Sequence, residues 1–341
     1  MTTPASARPP RALMVLIAFL ALYLIWGSTY LGIRFAIESL PGFLMAGVRF
    51  VVAGAVLYAW TRWQGAPAPT LHQWRISAIV GGLLLVGGNG GVVWAEHRVD
   101  SGLTALLVAT VPFWFALFDW LRPDGVRPGG GTILGLALGF AGIVMLVKAG
   151  ETSAAARIDL PGTLVLVLAT ISWAGGSIFS RQRPTGLSAM LGSAMQMLAG
   201  GAMLLIVGTV SGEWSDLAGR SVTLRSVLAL GYLIVFGSLV GYTAYTWLLR
   251  VSTAARVATY AYVNPIVAVV LGWALAGEAL NRWMLLAAGV IIAGVVSITA
   301  SKRGGASPAA SPRKRVEDGA MAAPAARPEP PVVMEGCGRR R

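Results

Sequence analysis

Two histidines and one cysteine are all that 341 residues offer to soft-metal or thiol chemistry, and charged residues make up only 12% of the chain. Cys337, the single cysteine, lies in the last few positions, so no internal disulfide can form. His72 and His97 both fall at the ends of apolar segments, no cysteine lies within one, and neither HExxH nor GxSxG occurs. These scarcities leave no candidate catalytic residue, no metal ligand set and no cofactor site. "GGNGG" at 87–91 is no phosphate loop, because it lacks the following Lys-Ser/Thr and sits in apolar sequence.

What the chain has in quantity is apolar surface. Hydrophobic residues make up 56% of it and the mean hydropathy is +0.70. A soluble protein of this length needs a polar skin that such a composition cannot supply. Runs of about 20 largely uncharged residues, enough to cross a ~30 Å hydrocarbon layer as a helix, recur along the chain. They lie near 13–36, 41–61, 74–95, 101–121, 130–148, 160–179, 187–209, 225–247, 254–275 and 282–300. The expectation is an all-α membrane protein of ten transmembrane helices. Stretches such as "ALLVATVPFWFALF" lack the alternation of a membrane β-barrel strand. Residues 301–341 shift to Pro, Ala, Gly and Arg, which reads as a disordered basic tail.

The net charge of +13 would suit nucleic acid, but no folded basic domain exists to present it. Membrane topology explains it better. With a cytoplasmic N-terminus, the inside connections hold Arg62, Arg75, Arg122, Arg127, Arg181, Arg183 and Arg250, and the outside ones hold most of the acids. Lys and Arg mark the untranslocated face. Both termini are therefore expected in the cytoplasm, with the chain retained in the cytoplasmic (inner) membrane.

The chain also repeats itself. A shift of 147 positions lays Trp26 on Trp173, Arg34 on Arg181, Arg49 on Gln196 and Ala53-Gly54 on Gly200-Gly201. Slightly larger offsets align Arg98-Val99 with Arg250-Val251, "VP" at 111–112 with "NP" at 264–265, and "AGIV" at 141–144 with "AGVV" at 293–296. Two five-helix units follow, at 13–148 and 160–300. A unit with an odd number of spans ends on the face opposite its start, so its copy inserts upside down about a pseudo-two-fold axis in the membrane plane, with a central cavity between the units.

"LIWGSTYLGIR" in the first span, "MAGVRFVVAGAVL" opening the second, Pro112 in "LLVATVPFWFALF", Pro265 in "YAYVNPIVAVVLGW" and "AGE" at 276–278 carry a resemblance. In that order and spacing they resemble the drug/metabolite transporter superfamily, in its ten-helix EamA-type exporter branch. The resemblance implies a basket of ten helices whose cavity is lined by spans 1, 3, 4, 6, 8 and 9, moving small metabolites such as amino acids out of the cytoplasm. The first half reads "LRPDGVRPGG" where the second has "AGE", so a role for Glu278 does not carry to both halves. No carboxylate stands at mid-span, unlike in small multidrug exporters that exchange protons for cations.

Pro112 and Pro265 stand at the centres of their spans and should kink them, freeing the carbonyls of Val108 and Ala261. A freed carbonyl in lipid is costly unless it faces protein or water, so the kinks should face inward as gating elements. Tyr260 and Asn264, with Arg256, share one stripe of span 9. Tyr242 and Tyr245 mark span 8, and Trp26, Thr29 and Tyr30 mark span 1. With Trp173 and Asn89 these are the candidate substrate contacts, since Tyr and Trp join an apolar body to one hydrogen-bonding tip. Trp60, Trp63, Trp74 and Trp283 read as interfacial anchors.

Arg34, Arg49 and Asp119 lie within the apolar register, where ions are paired or functional, and Arg34 and Arg49 are the charged candidates of the site. Snorkelling at helix ends is the alternative, with Glu38 as a partner for Arg34, and Glu96 with His97 reads as a solvated loop pair. The expected function is secondary transport, by alternating access, of a small neutral or zwitterionic metabolite, with the lipid bilayer as environment and no nucleic-acid partner. A membrane receptor or scaffold using the basic tail, and an intramembrane enzyme, are the alternatives. The oligomeric state is not written in the sequence.

Overall fold

The computed structural model describes residues 12–121, 129–151, 159–252, 257, 260–277 and 282–304. Arg256, Glu278 and the tail from residue 305 onward lie outside them, as does the side chain of Asp119. Among the described residues the regular structure is entirely helical. In order the helices are α1 (Ala12–Ala36), α2 (Gly42–Trp63), α3 (Leu71–Glu96), α4 (Ser101–Val108), α5 (Val111–Leu121) and α6 (Gly130–Glu151). They continue as α7 (Leu160–Gln182), α8 (Ala189–Val210), short α9 (Glu213–Ala218), α10 (Leu224–Val251), α11 (Tyr260–Ala276) and α12 (Arg282–Gly304).

Helix starts are written locally. Thr70 caps α3 and Gln73 reciprocates in a capping box, Ser188 caps α8, Thr223 caps α10, and Asp159 accepts from Gly162 N ahead of α7. Pro41 precedes α2 and offers no side-chain cap. Glu213 of α9 substitutes, accepting from Phe43 N (3.1 Å) and Leu44 N (2.8 Å). A carboxylate there also meets the positive end of the helix dipole.

Among the described residues, seven helices are long and apolar enough to cross a membrane: α1, α2, α3, Ser101–Phe118 across α4 and α5, α7, α8 and α10. Three further apolar helical stretches, Gly130–Gly142, Val263–Ala276 and Leu285–Gly294, are shorter. Large apolar side chains such as Leu16, Leu24, Phe140, Leu168, Ile206 and Val270 stand exposed, which is tolerable only against lipid. Trp60, Trp63 and Trp283 are exposed as anchors would be, whereas Trp74 packs on Tyr58. The last helix runs to Gly304, four residues past the expected end of the final span.

The two prolines act differently from each other. At Pro112 the span breaks outright: α4 ends at Val108, Thr110 Oγ1 donates to Leu107 O (2.7 Å), and the proline opens α5, where its missing N–H costs nothing. The expected kink there is a break. Pro265 lies inside α11, which continues past it. Both are buried. A deformation that proline does not explain occurs in α3 at Gly82–Gly90 and in α10 at Leu233–Tyr242, where the backbone widens to π-helical turns.

The helices from the two halves intermesh. α2 lies along α8, α6 along α12, α1 on α10 and α11, and α7 on α3, α4 and α5. Glycine lets α2 and α8 touch: a Cβ on Gly54 would come 2.8 Å from Leu198 N, and one on Gly201 2.8 Å from Val51 N. Those pairs run antiparallel, since Gly47 meets Leu205 and Gly208 meets Leu44. The same crossing joins α6 to α12 at Gly142–Ile291 and Gly294–Gly139. Substituting Gly201→Val should therefore overpack the seam by about 1–3 kcal/mol and lower the melting temperature of detergent-solubilised protein. Gly289→Ala, with nothing within 4 Å of the added Cβ, should leave it unchanged or raised.

Candidate functional site

Trp26 on α1 and Trp173 on α7, the two copies of the repeated tryptophan, meet edge to face with centroids 5.6 Å apart. Each lies on a glycine of a widened turn in the other half. A Cβ on Gly241 of α10 would fall 2.4 Å from Trp26 Nε1, and one on Gly88 of α3 would fall 2.8 Å from Trp173 Cε3. Trp26 Nε1 donates to Gly237 O (3.2 Å), and Ser172, beside Trp173, donates to Leu83 O (2.7 Å). Tyr245 and Tyr260 complete the cluster, at 5.0 Å and 5.4 Å from Trp26.

This quartet separates two cavities. On one side a narrow space of about 70 Å³ is lined by Trp26, Thr29, Tyr30, Asn89, Trp173, Tyr242 and Tyr260, with Arg49, Phe50 and Gly237. Such a volume holds a handful of water molecules, at roughly 10–15 Å³ each on this measure. On the other side a vestibule of about 400 Å³ is bordered by Tyr245, Ser177, Ser193, Gln196, Arg181 and Arg250. Along α3 the lining passes from vestibule to central cavity, and along α7 and α10 it passes the other way.

Seven of the nine expected substrate contacts thus gather at the central cavity. Tyr245 borders the vestibule instead, bonded to Ser177 (2.9 Å). Asn264 is buried, and its amide nitrogen donates to Tyr23 O (3.0 Å) and Tyr260 O (3.2 Å), tying α11 to α1. Tyr242 OH donates to Gln196 Oε1 (2.7 Å).

The charged residues depart from the sequence reading. Arg49 does not snorkel: it is 3% exposed, its Nε donates to Ser238 Oγ (2.8 Å), and its guanidinium lies 4.7 Å from the Phe50 ring. The repeat held the signal for this, since Arg49 aligns with Gln196, a polar residue at the same place in the second unit's helix. Arg34 donates to Glu96 O (2.7 Å), while Glu38 pairs with Arg225 at 3.2 Å. The neighbours four apart do not pair because α10 brings a cation to Glu38. Glu96 is no loop residue, being fully buried at the end of α3.

His97, one position beyond the span, has its pKa lowered by burial, with the cationic fields of Arg220, Arg34 and Arg98 adding to this and Glu213 opposing it. A lowered histidine pKa means the unfolded chain binds the proton first. Stability is therefore lost as pH falls from above the ordinary value, about 6.5, towards the folded one. His97→Gln should remove that loss, so wild-type protein should lose more melting temperature than the variant when the pH is lowered from about 8 to about 5.5.

A bundle of membrane helices around a polar, aromatic cavity, with a second vestibule behind an aromatic septum, is the construction of a membrane transporter. Comparison with known proteins agrees. The EamA-like transporter family matches residues 13–148 and again 160–300, and the chain belongs to it. It is 42% identical over 286 residues to "Uncharacterized inner membrane transporter YedA" of Escherichia coli K12, covering 84% of this chain and 90% of that one. It is 24% identical over 289 residues to "Probable amino-acid metabolite efflux pump" of Salmonella typhimurium LT2, covering 81% and 92%. A solved crystal structure at 21% identity shares the fold, with a TM-score of 0.61 over 86% of this chain and 99% of that one.

Proposed function

We propose that the protein exports small neutral or zwitterionic metabolites, amino acids or related compounds, across the cytoplasmic membrane by alternating access. In this reading ten spans form two five-helix units, 13–148 and 160–300, inserted in opposite senses. The observation that carries it is the meeting of Trp26 and Trp173 between two cavities. Two further features support it. α2 against α8 and α6 against α12 pair corresponding helices antiparallel, as an in-plane two-fold axis requires. The widened turns of α3 and α10 also fall 151 positions apart at their starts, by the numbering of Gly82 and Leu233. The relative named as an amino-acid metabolite efflux pump supports the substrate class.

With both termini in the cytoplasm, the vestibule beside Arg181 and Arg250 faces inward and the central cavity belongs to the outer side. The aromatic quartet then acts as the inner gate, and the break before Pro112 and the proline of α11 let neighbouring spans bend. Trp26, Thr29, Tyr30, Asn89, Trp173, Tyr242 and Tyr260 contact substrate. Tyr245 forms the gate, and Asn264 holds α11 in place.

Uptake of radiolabelled amino acids into inverted vesicles tests the site. Tyr260→Ala should cut the rate at least tenfold, and Asn264→Ala should reduce it as well. Normal kinetics in both remove these residues from the pathway. A Cys337→Ser background carrying Ser193→Cys or Thr29→Cys tests the gate. An impermeant thiol reagent should reach Ser193→Cys from the cytoplasmic face and Thr29→Cys from the opposite one; labelling of both from one face rejects the septum.

A further inference from the structure

Resting on that reading and narrowing its substrates, we propose that Arg49 anchors the carboxylate of the transported molecule. Arg49 is the one charged residue among the described residues lining the central cavity. Of its donors, Nε is engaged by Ser238, whereas Nη1 is buried without any hydrogen-bond partner. Among the described residues no carboxylate lies within 4 Å of it, and Glu96 acts on it only as a longer-range field.

A guanidinium taken out of water with an N–H unsatisfied is costly, and bundles keep such groups where a ligand completes them. Its planar fork matches a carboxylate, which accepts two parallel hydrogen bonds. Glycine at 237 provides room: a Cβ there would stand 2.8 Å from Nη2. Ser238 and the Phe50 ring hold the group in a fixed plane.

One other buried polar atom of the same cavity lacks a partner, Asn89 Oδ1. An acceptor therefore accompanies the cation. Together they describe a molecule with a carboxylate for Arg49 and an N–H or O–H donor for Asn89. The remaining walls, Leu85, Val92 and Val108, suit a small apolar body. One cation without a second suits a monocarboxylate rather than a phosphate, which draws on several cationic contacts. Small neutral amino acids have this chemistry.

The full-length protein in proteoliposomes can be given L-alanine, L-serine and L-threonine, each beside its carboxamide. Wild-type protein should move at least one acid ten or more times faster than the matching amide. Arg49→Gln should erase that preference, Arg49→Lys should keep part of it, and Ser238→Ala should lower it by freeing the guanidinium from its plane. If wild-type protein moves amides as fast as acids, or Arg49→Gln slows both alike, the anchor is rejected while transport stands. If neither acids nor amides move, the amino-acid reading falls with it. Should Arg49→Gln fail to fold, an unchanged acid-to-amide ratio in Ser238→Ala rejects the anchor.

Discussion

The core depends on a tryptophan ring pressed onto glycine, twice. Trp26 rests on Gly241 and Trp173 on Gly88, at distances where a side chain on either glycine would collide with the ring. Rings of this size bury roughly 150–250 Å² each, so two of them meeting at the middle of a bundle need neighbours with almost no bulk. The widened turns of α3 and α10 carry those glycines. Had either helix been regular with ordinary side chains, the indoles would be pushed into the 70 Å³ space beside them and the cavity would close.

Widening a helix in lipid has a cost, because carbonyls lose their usual partners and water is absent. The repeated phrase answers that cost from across the bundle. Trp26 donates to Gly237 O, and Ser172 donates to Leu83 O, one carbonyl in each widened segment. Arg49 and Gln196, aligned in the repeat, likewise both reach α10, through Ser238 and Tyr242. The ring that needs the glycine thus comes with the donor that the altered backbone needs. Ring, glycine and carbonyl form one unit, and this is why the two copies of the phrase lie so deep.

Much of this is legible in the residues and some is not. Apolar runs give the helices, because a ~30 Å slab demands about 20 residues whatever their order. The spacing of Trp26 and Trp173 marks both as special, but not that they touch, since contact depends on how the halves cross. Arg49 departs from its expected place for a related reason. A cation near a helix start snorkels when lipid surrounds it, and stays inside when a glycine, a serine and a ring make a place for it. Those three come from elsewhere along the chain, except Phe50. Glu38 takes a different partner because i,i+4 proximity competes with side chains from another helix, here Arg225. At Pro112 the sequence points to a disturbed helix, and whether it bends or breaks turns on Thr110 capping the segment before it.

The near-symmetry also bears on energetics. Ring-on-ring packing joins the quartet, at about 0.5–1.5 kcal/mol for each pair beyond simple burial. Parting every pair would oppose opening by several kcal/mol, the scale of about 5.5 kcal/mol that separates a 1:99 from a 99:1 equilibrium. Under the proposed alternating access, the loss at one gate would be offset by packing that forms at the other. What remains is the difference between the halves. One place where the repeat departs from itself is a cation at Arg49 against a neutral amide at Gln196. A charge whose environment changes between the two states biases them far more than a methyl group does, because desolvating a cation outweighs burying a CH₂ at about 0.8 kcal/mol. In the proposed cycle, a carboxylate that neutralises Arg49 would therefore shift the balance.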